Sequence, residues 1–238
     1  MRNILQERPA QDPRGTSRFA THFVDDADLQ NRRILDIGCG YGGFLLHAVQ
    51  RGVESAAGLE PSEQAIATAR AHVRDSKVAL HIGSAIRLPF EDGEFDTVSA
   101  WEVIEHIPKQ TEPRMFAEVF RILRPGGAFY LSTPHRSIRS NALDPAWWLI
   151  GHRHYSVDAL EAFGRRAGFD LMKSDVRGGW WLATQINNMY ISKWILRRRT
   201  LFADWFDSRV EAEIARGPGF YDLFAKFIKP RAGVDSVV

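Results

Sequence analysis

Short apolar runs and stretches of helical spacing alternate along most of this chain. Ile34, Leu35 and Ile37 suit a buried strand, and from Phe44 on Leu45, Ala48 and Val49 recur at helical spacing until Gly52 stops them. Ala56 to Leu59 and Val78 to Ile82 read as the second and third strands, with a helix carrying Ala65, Ile66 and Ala69 between them. Phe95 to Val103 reads as the fourth strand. A helix opened by Pro113 follows, with Phe116, Val119, Phe120 and Leu123 on one face, and then a turn, Arg124-Pro125-Gly126-Gly127. Ala128 to Ser132 is the fifth strand. Ser156 caps a helix bearing Leu160, Phe163 and Ala167, Gly168 stops it, and Phe169 to Val176 is the sixth strand. Alternation of this kind predicts βαβ units, hence an α/β fold with a doubly wound, mostly parallel sheet. Ligands bind such sheets at the carboxyl ends of the strands.

The pattern changes near Gly178. Ile186, Met189, Tyr190 and Trp194 fit one helix, and Phe202, Phe206, Val210 and Ile214 a second. Phe220, Leu223, Phe224, Phe227 and Ile228 fit a third, before a short strand near the end. The expected layout is a leader region over 1–30, a core over 31–177, a helical insertion or cap over 178–230 and a last strand over 231–238.

Residues 33–43 concentrate the candidate chemistry. An apolar strand breaks into glycines at 38, 40, 42 and 43 just before a helix begins, which is how a Rossmann-like fold presents helix N–H groups to a ligand. Asp36 precedes the glycines, and Gly43 also satisfies the G-x-G-x-x-G spacing, so a nicotinamide-dependent oxidoreductase stays open on the glycines alone. Glu60, about twenty residues on, stands where an acid accepts hydrogen bonds from ribose hydroxyls. Cys39 lies inside the turn with no base paired to it and reads as a small filler.

Composition narrows the classes. A chain of 238 residues with 45% hydrophobic and 25% charged residues has the makings of an ordinary packed domain. Its net charge of +2 gives no broad attraction to nucleic acid, despite the local run Arg197-Arg198-Arg199. One cysteine excludes an internal disulfide framework and fits a reducing compartment. No signal-type apolar segment and no membrane-spanning run is present, so a cytoplasmic protein is expected.

Read together, Asp36-x-Gly38-x-Gly40-x-Gly42, Glu60, Gly83-Ser84-Ala85-x-x-Leu88-Pro89-Phe90, Phe95-Asp96-x-Val98, Glu102-x-x-Glu105-His106 and Leu123-Arg124-Pro125-Gly126-Gly127 resemble the class I S-adenosylmethionine-dependent methyltransferases. Within them the chain looks most like the group containing the ubiquinone-pathway O-methyltransferases. The match covers about residues 30–175. The resemblance implies S-adenosylmethionine as cofactor. Gly38 and Gly40 would lie against its methionine part, Asp36 would order the turn, Glu60 would hold the ribose, and Ser84 and Ala85 would flank the adenine. Trp101 joins this set at the end of the fourth strand. Family members often carry Asp where this chain has Ser84, whose hydroxyl can still bond the adenine amino group. In the ubiquinone-type enzymes a Glu-x-x-Glu-His segment is associated with a divalent metal. Glu102, Glu105 and His106 match it and are the candidate ligands for Mg²⁺ or a similar ion, with His106 and Glu102 also candidate catalytic groups.

His152-Arg153-His154 and Trp147-Trp148 read as a loop on the substrate side or as plain surface and core anchors. A metal reading of His152 and His154 lacks a third ligand in the sequence. The expected function is methylation of a small-molecule acceptor at oxygen. A glycan or peptide-type natural product as acceptor, a nicotinamide oxidoreductase and a non-catalytic cofactor-binding module stand as alternatives. The 178–230 helices could cap the acceptor, pack in a core or homodimer, or lie peripherally on a membrane. No nucleic-acid partner is expected.

Overall fold

The structure, a computed structural model, describes residues 14–231. Seven strands form one sheet: β1 (Arg33–Ile37), β2 (Ser55–Glu60), β3 (Val78–Ile82), β4 (Phe95–Trp101), β5 (Leu123–Pro134), β6 (Asp170–Arg177) and β7 (Asp222–Ile228). Their order across the sheet is β3-β2-β1-β4-β5-β7-β6. Pairings β1–β2, β1–β4, β2–β3 and β4–β5 are parallel. β7 runs antiparallel to both β5 and β6. The central strands are buried on both faces, which is why β1 reads as nearly continuous apolar residues. The edge strands β3 and β6 alternate in exposure instead.

Helices cover both faces. α2 (Gly43–Gln50), α3 (Glu63–His72), α4 (Glu112–Ile122) and α7 (Val157–Ala167) are the crossovers of the core. α1 (Gly15–Phe23) packs its Phe19 ring 4.7 Å from Phe224. Two buried clusters result, one on each face of the sheet, centred on Phe116 and Phe129 and on Leu45 and Tyr130. Ser62 and Ser156 cap α3 and α7 through their hydroxyls.

Several expectations are corrected. β4 ends at Trp101 rather than Val103, because Glu102 takes a left-handed conformation (φ +53°) and turns the chain. Arg124–Gly127 belongs to β5 as a bulge, where Phe95 pairs with Leu123 and Thr97 already pairs with Ala128. Two short helices, α5 (Ile138–Leu143) and α6 (Pro145–Ile150), lie in what read as loop.

The expected third helix of the tail is strand β7. Its run Asp222-Leu223-Phe224-Ala225-Lys226-Phe227-Ile228 also fits helical spacing. Seven residues buried on both faces cannot be told from a helix by period alone. In the sheet, Leu223, Ala225 and Phe227 face one core and Phe224 the other. The short strand expected over 231–238 falls, from residue 232 on, outside the described residues, as do residues 1–13 of the leader.

Between β6 and β7 come α8 (Trp180–Tyr190), a π-helical turn (Ile191–Ile195) and α9 (Ala203–Ala215). Glu213 on α9 accepts hydrogen bonds from the Gly179, Trp181 and Leu182 N–H groups, at 2.7, 3.0 and 3.2 Å. It thereby satisfies the leading donors of α8 and places a negative charge at that helix's positive end. Leu182, Ala183, Val210, Ile214 and Tyr221 form a small core beneath the pair. No helix among the described residues is long and apolar enough to cross a membrane.

The burial of β7 makes a direct prediction. Phe227 is fully buried, its ring 5.5 Å from that of Phe116, so Phe227→Ala should cost about 3–5 kcal/mol in urea unfolding. Phe202→Ala, at a site 75% exposed, should change stability by about 0.5 kcal/mol or less. Equal losses would contradict the strand placement.

Candidate functional site

The glycine turn lies at the carboxyl end of β1, between β2 and β4. Gly38 and Gly40 hold φ of +70° and +52°, a region that costs most side chains but not glycine. A Cβ on Gly38 would come within 2.5 Å of the Val103 side chain, whereas one on Gly40 would meet nothing within 4 Å. Gly38 is thus required by packing, and Gly40 borders open space. α2 begins just beyond without a side-chain cap. The Gly40 N–H donates to Glu60 Oε2 at 3.2 Å, and the Ser62 N–H donates to Glu60 Oε1 at 3.1 Å. Each carboxylate oxygen keeps a further lone pair for a ligand hydroxyl. Asp36 is buried and accepts from the Ser99 hydroxyl at 2.7 Å, tying β1 to β4. Cys39 is also buried, and burial with the Asp36 and Glu60 charges pushes its thiol far above the usual range, which leaves it inert.

Trp101 closes the turn from β4, its ring 5.4 Å from Phe44, with an indole N–H that has no partner among the described residues. Ser84 is exposed and Ala85 buried in the loop after β3, where a Ser84–Arg87 bridge closes a tight turn.

Beyond the β4 and β5 ends the segment 102–106 meets the loop 144–154. Glu102 makes a reciprocal pair with Ser132: its N–H donates to the Ser132 hydroxyl at 3.2 Å, and that hydroxyl donates to Glu102 Oε1 at 2.6 Å. Glu105 is buried, with Oε2 accepting from Thr133 at 3.1 Å and Oε1 left without a partner among the described residues. Burial and the Glu102 carboxylate push Glu105 well above the usual carboxylate range. His106 Nε2 lies 3.9 Å from Glu105 Oε1 and 3.4 Å from His152 Nε2. Although its side chain is 57% exposed, the crowding of that ring, with His152 and the Arg153 cation nearby, lowers it to about 4.

His152 Nδ1 in turn faces Asp144 Oδ2 at 3.3 Å, and His154 Nε2 faces the same oxygen at 2.8 Å. Burial pushes Asp144 up, but the two imidazole hydrogen bonds outweigh it and hold this carboxyl below its ordinary value. A cavity of about 450 Å³ opens over this edge, lined by Glu102, Asp144, His152, Tyr221 and Asp222 and by the α8 side chains Leu182, Ile186 and Met189.

A family model of the methyltransferase domain matches residues 5–174, well over half of the chain. The chain belongs to this family. A norajmaline N-methyltransferase from Rauvolfia serpentina is 37% identical over 130 residues, 52% of this chain and 44% of that protein. A ubiquinone biosynthesis O-methyltransferase from Aromatoleum aromaticum is 36% identical over 118 residues, 48% of this chain and 49% of that protein. The chain therefore spans about half the length of the curated relatives it matches. A solved S-adenosylmethionine-dependent methyltransferase from Mesorhizobium loti superposes with a TM-score of 0.66 at 19% identity, over 92% of this chain and 100% of that one, a likeness of fold.

In this methyltransferase domain the structure gathers Asp36, Gly38, Gly40 and Glu60 at one turn, and Glu102, Glu105 and His106 at the next strand end. It does not assemble the expected metal set. The donor atoms that converge are those of Glu105, His106 and His152, while Glu102, bonded to Ser132 and beside Glu105, does not join that group. Asp144 supplies the third group that His152 and His154 lacked in the sequence. Arg153 sets a fixed positive charge beside the Glu105–His106–His152 group, donating to Glu112 Oε1 at 2.6 Å and to the Ile104 carbonyl at 2.8 Å. Two imidazoles and a carboxylate could hold a divalent cation there, with the Arg153 charge opposing it. Sequence reasoning missed Ser132, Asp144 and Asp222; only Asp144, just before Pro145, carried a local signal, that of a helix cap.

Asp36 yields a pH prediction. Burial raises its carboxyl, the Ser99 hydroxyl pulls it back and the Glu60 charge adds to the rise, leaving it at about 7 against an ordinary 3.8. The folded chain then keeps a proton that the unfolded chain releases, so stability falls as pH rises from about 4 to about 7. Asp36→Asn should remove this component. Its urea midpoint relative to the parent should climb across that window, and parallel curves would contradict a buried, protonated Asp36.

Proposed function

We propose that this domain transfers a methyl group from S-adenosylmethionine to a small nucleophile held in the cavity beyond β4, β5 and β7. One observation carries the reading: the glycine turn with Glu60 and the Glu102–His152 cavity lie at neighbouring strand ends of one sheet. Family membership sets aside the nicotinamide alternative. Gly40, open where a Cβ would stand, and Glu60, with lone pairs to spare, fit the cofactor's methionine and ribose parts. Trp101 borders them, and Ser84 and Ala85 fall where the adenine edge would lie. When bound, the cofactor supplies an electrophilic sulfonium methyl.

The protein's share is positioning and proton removal. Holding the acceptor in line with the methyl contributes on the order of 7–11 kcal/mol. His152 is the base in this proposal rather than His106. It lines the cavity, Asp144 holds its Nδ1 side, and its Nε2, which stands 3.4 Å from His106 Nε2, takes the acceptor proton. Glu102 contacts the acceptor from the cavity wall, and Asp144 is a positioning residue. No step is assigned to a metal. Oxygen acceptance is the expectation from the family resemblance, and N- and O-methyltransferases both stand among the relatives. Glycan and peptide-type acceptors are the competing substrate classes.

S-adenosylhomocysteine should bind in a calorimetric titration, and NAD⁺ should not. Once an acceptor is found, His152→Gln should lower kcat by about 10²–10⁴-fold with S-adenosylhomocysteine affinity unchanged. Asp144→Asn should lower kcat and alter its pH profile, and a chelator should leave the rate as it was. Full activity in His152→Gln, or loss on chelation, would sink the base assignment.

The tail carries a second surface. Trp194, Ile195, Leu196 and Phe202 are exposed beside exposed Arg197, Arg198 and Arg199, and among the described residues no acid forms an ion pair with those arginines. Most of the amphipathic faces go into packing, since Phe206, Val210 and Ile214 are buried. The exposed remainder pairs apolar side chains with positive charge, the combination that suits an anionic bilayer surface. The chain should co-sediment with phosphatidylglycerol vesicles and not with phosphatidylcholine ones. Replacing the three arginines by Ala should weaken binding by about 100-fold, at about 1 kcal/mol for each. Sedimentation that ignores vesicle charge would refute this contact.

A further inference from the structure

The cavity has an unusual charge inventory. Glu102, Asp144, Asp207 and Asp222 line it, and among the described residues no lysine or arginine does. Asp144 has hydrogen-bond partners in His152 Nδ1 and His154 Nε2, and Asp207 accepts from the Gln185 amide at 2.6 Å. Asp222 has no such support. It is 6% exposed, and its carboxyl receives no hydrogen bond from any described residue. Beside it the Tyr221 hydroxyl, also buried, has no partner among the described residues. A carboxylate buried without donors costs several kcal/mol unless a cation or a proton compensates. Burial and the Glu102 and Asp144 charges accordingly raise Asp222 well above the usual range.

We infer, building on the methyl-transfer reading, that the acceptor is a cationic amine whose ammonium group is held by Asp222 and Glu102, with its hydrocarbon part on Leu182, Ile186 and Met189. An ammonium offers three donors and a positive charge to a site with an unpaired carboxylate and an unpaired hydroxyl. Tyr190 and Tyr221 line the same cavity and bring aromatic rings, which attract cations. The carboxylates of Glu102, Asp144 and Asp222 do not converge as a metal-ligand group among the described residues, although Asp144 does converge with His152 and His154.

The chemistry balances. His152 Nε2 takes a proton from the ammonium, the freed nitrogen lone pair forms the new N–CH₃ bond, and the C–S bond breaks with its electron pair returning to sulfur. The products are a methylated ammonium, neutral S-adenosylhomocysteine and one proton passed from His152 to solvent. Glu102 and Asp222 stabilise positive charge on nitrogen before and after transfer, so they govern selection of the acceptor more than the speed of the step.

The test uses matched pairs of primary amines and alcohols, 2-phenylethylamine with 2-phenylethanol among them, titrated calorimetrically at neutral pH with and without S-adenosylhomocysteine. The amine of each binding pair should bind about thirtyfold more tightly than its alcohol. Binding should release protons, seen as a dependence of the heat on buffer ionisation, because the cation lowers the carboxyls it meets. Asp222→Asn should erase the preference while S-adenosylhomocysteine binding stays as in the parent and thermal unfolding comes no earlier. Glu102→Gln serves as a second probe if Asp222→Asn does not fold. Alcohols binding as well as amines, no pair binding, a preference that survives both variants, or displacement of the amine by Mn²⁺ would each overturn the inference. Failure of S-adenosylhomocysteine to bind would strike the methyl-transfer reading alone, since amine selectivity is read separately without it.

Discussion

The antiparallel seat of β7 between β5 and β6 determines where the rest of the site falls. Because β7 runs against β5, with Asp222 opposite Pro134, its first residues arrive at the edge where β4 and β5 end. The chain from β6 must therefore return over that edge, and α8 and α9 are the route it takes. Tyr221 and Asp222 are delivered beside Glu102, and α8 becomes the apolar wall of the cavity. The same strand joins the cores on both faces, Phe227 to one and Phe224 to the other. Stability and site construction thus share one element.

Electrostatics at this edge depends on incomplete satisfaction. Buried acids elsewhere have hydrogen-bond donors: Asp36 has Ser99, and Glu112 has Arg153 and Tyr155. At the strand ends Glu105 and Asp222 are buried with acceptor capacity unused. A fold optimised for stability alone would pair or remove such groups. Glu102 adds local strain, held in a left-handed conformation by its reciprocal bonds with Ser132. Strain and unsatisfied polar groups thus collect at one sheet edge, a pattern common at functional sites.

Local chemistry was legible in the sequence where neighbouring residues act together. The glycine turn, the acid at Glu60 and the caps at Ser62 and Ser156 rest on residues a few positions apart, so backbone requirements and side-chain types could be read directly. The six strands of the βαβ pattern followed from their period and spacing. Glu102-x-x-Glu105-His106 was visible as a cluster, but not its geometry. Spacing placed the three together, and only the fold showed that His152 rather than Glu102 converges with Glu105 and His106.

Short-range patterns and backbone requirements sufficed to read a Rossmann-like α/β core and the position of its glycine turn from the sequence, and the methyltransferase type followed from the family resemblance of its ordered motifs. Tertiary structure alone decided that Asp222–Ile228 is a strand, since a short apolar run gains its identity from its hydrogen-bond partners. It likewise decided that His152, Asp144 and Asp222 share one cavity. They come from a loop, a helix cap and a strand start up to 78 residues apart, and nothing in their local sequence specifies that long-range packing will bring them together.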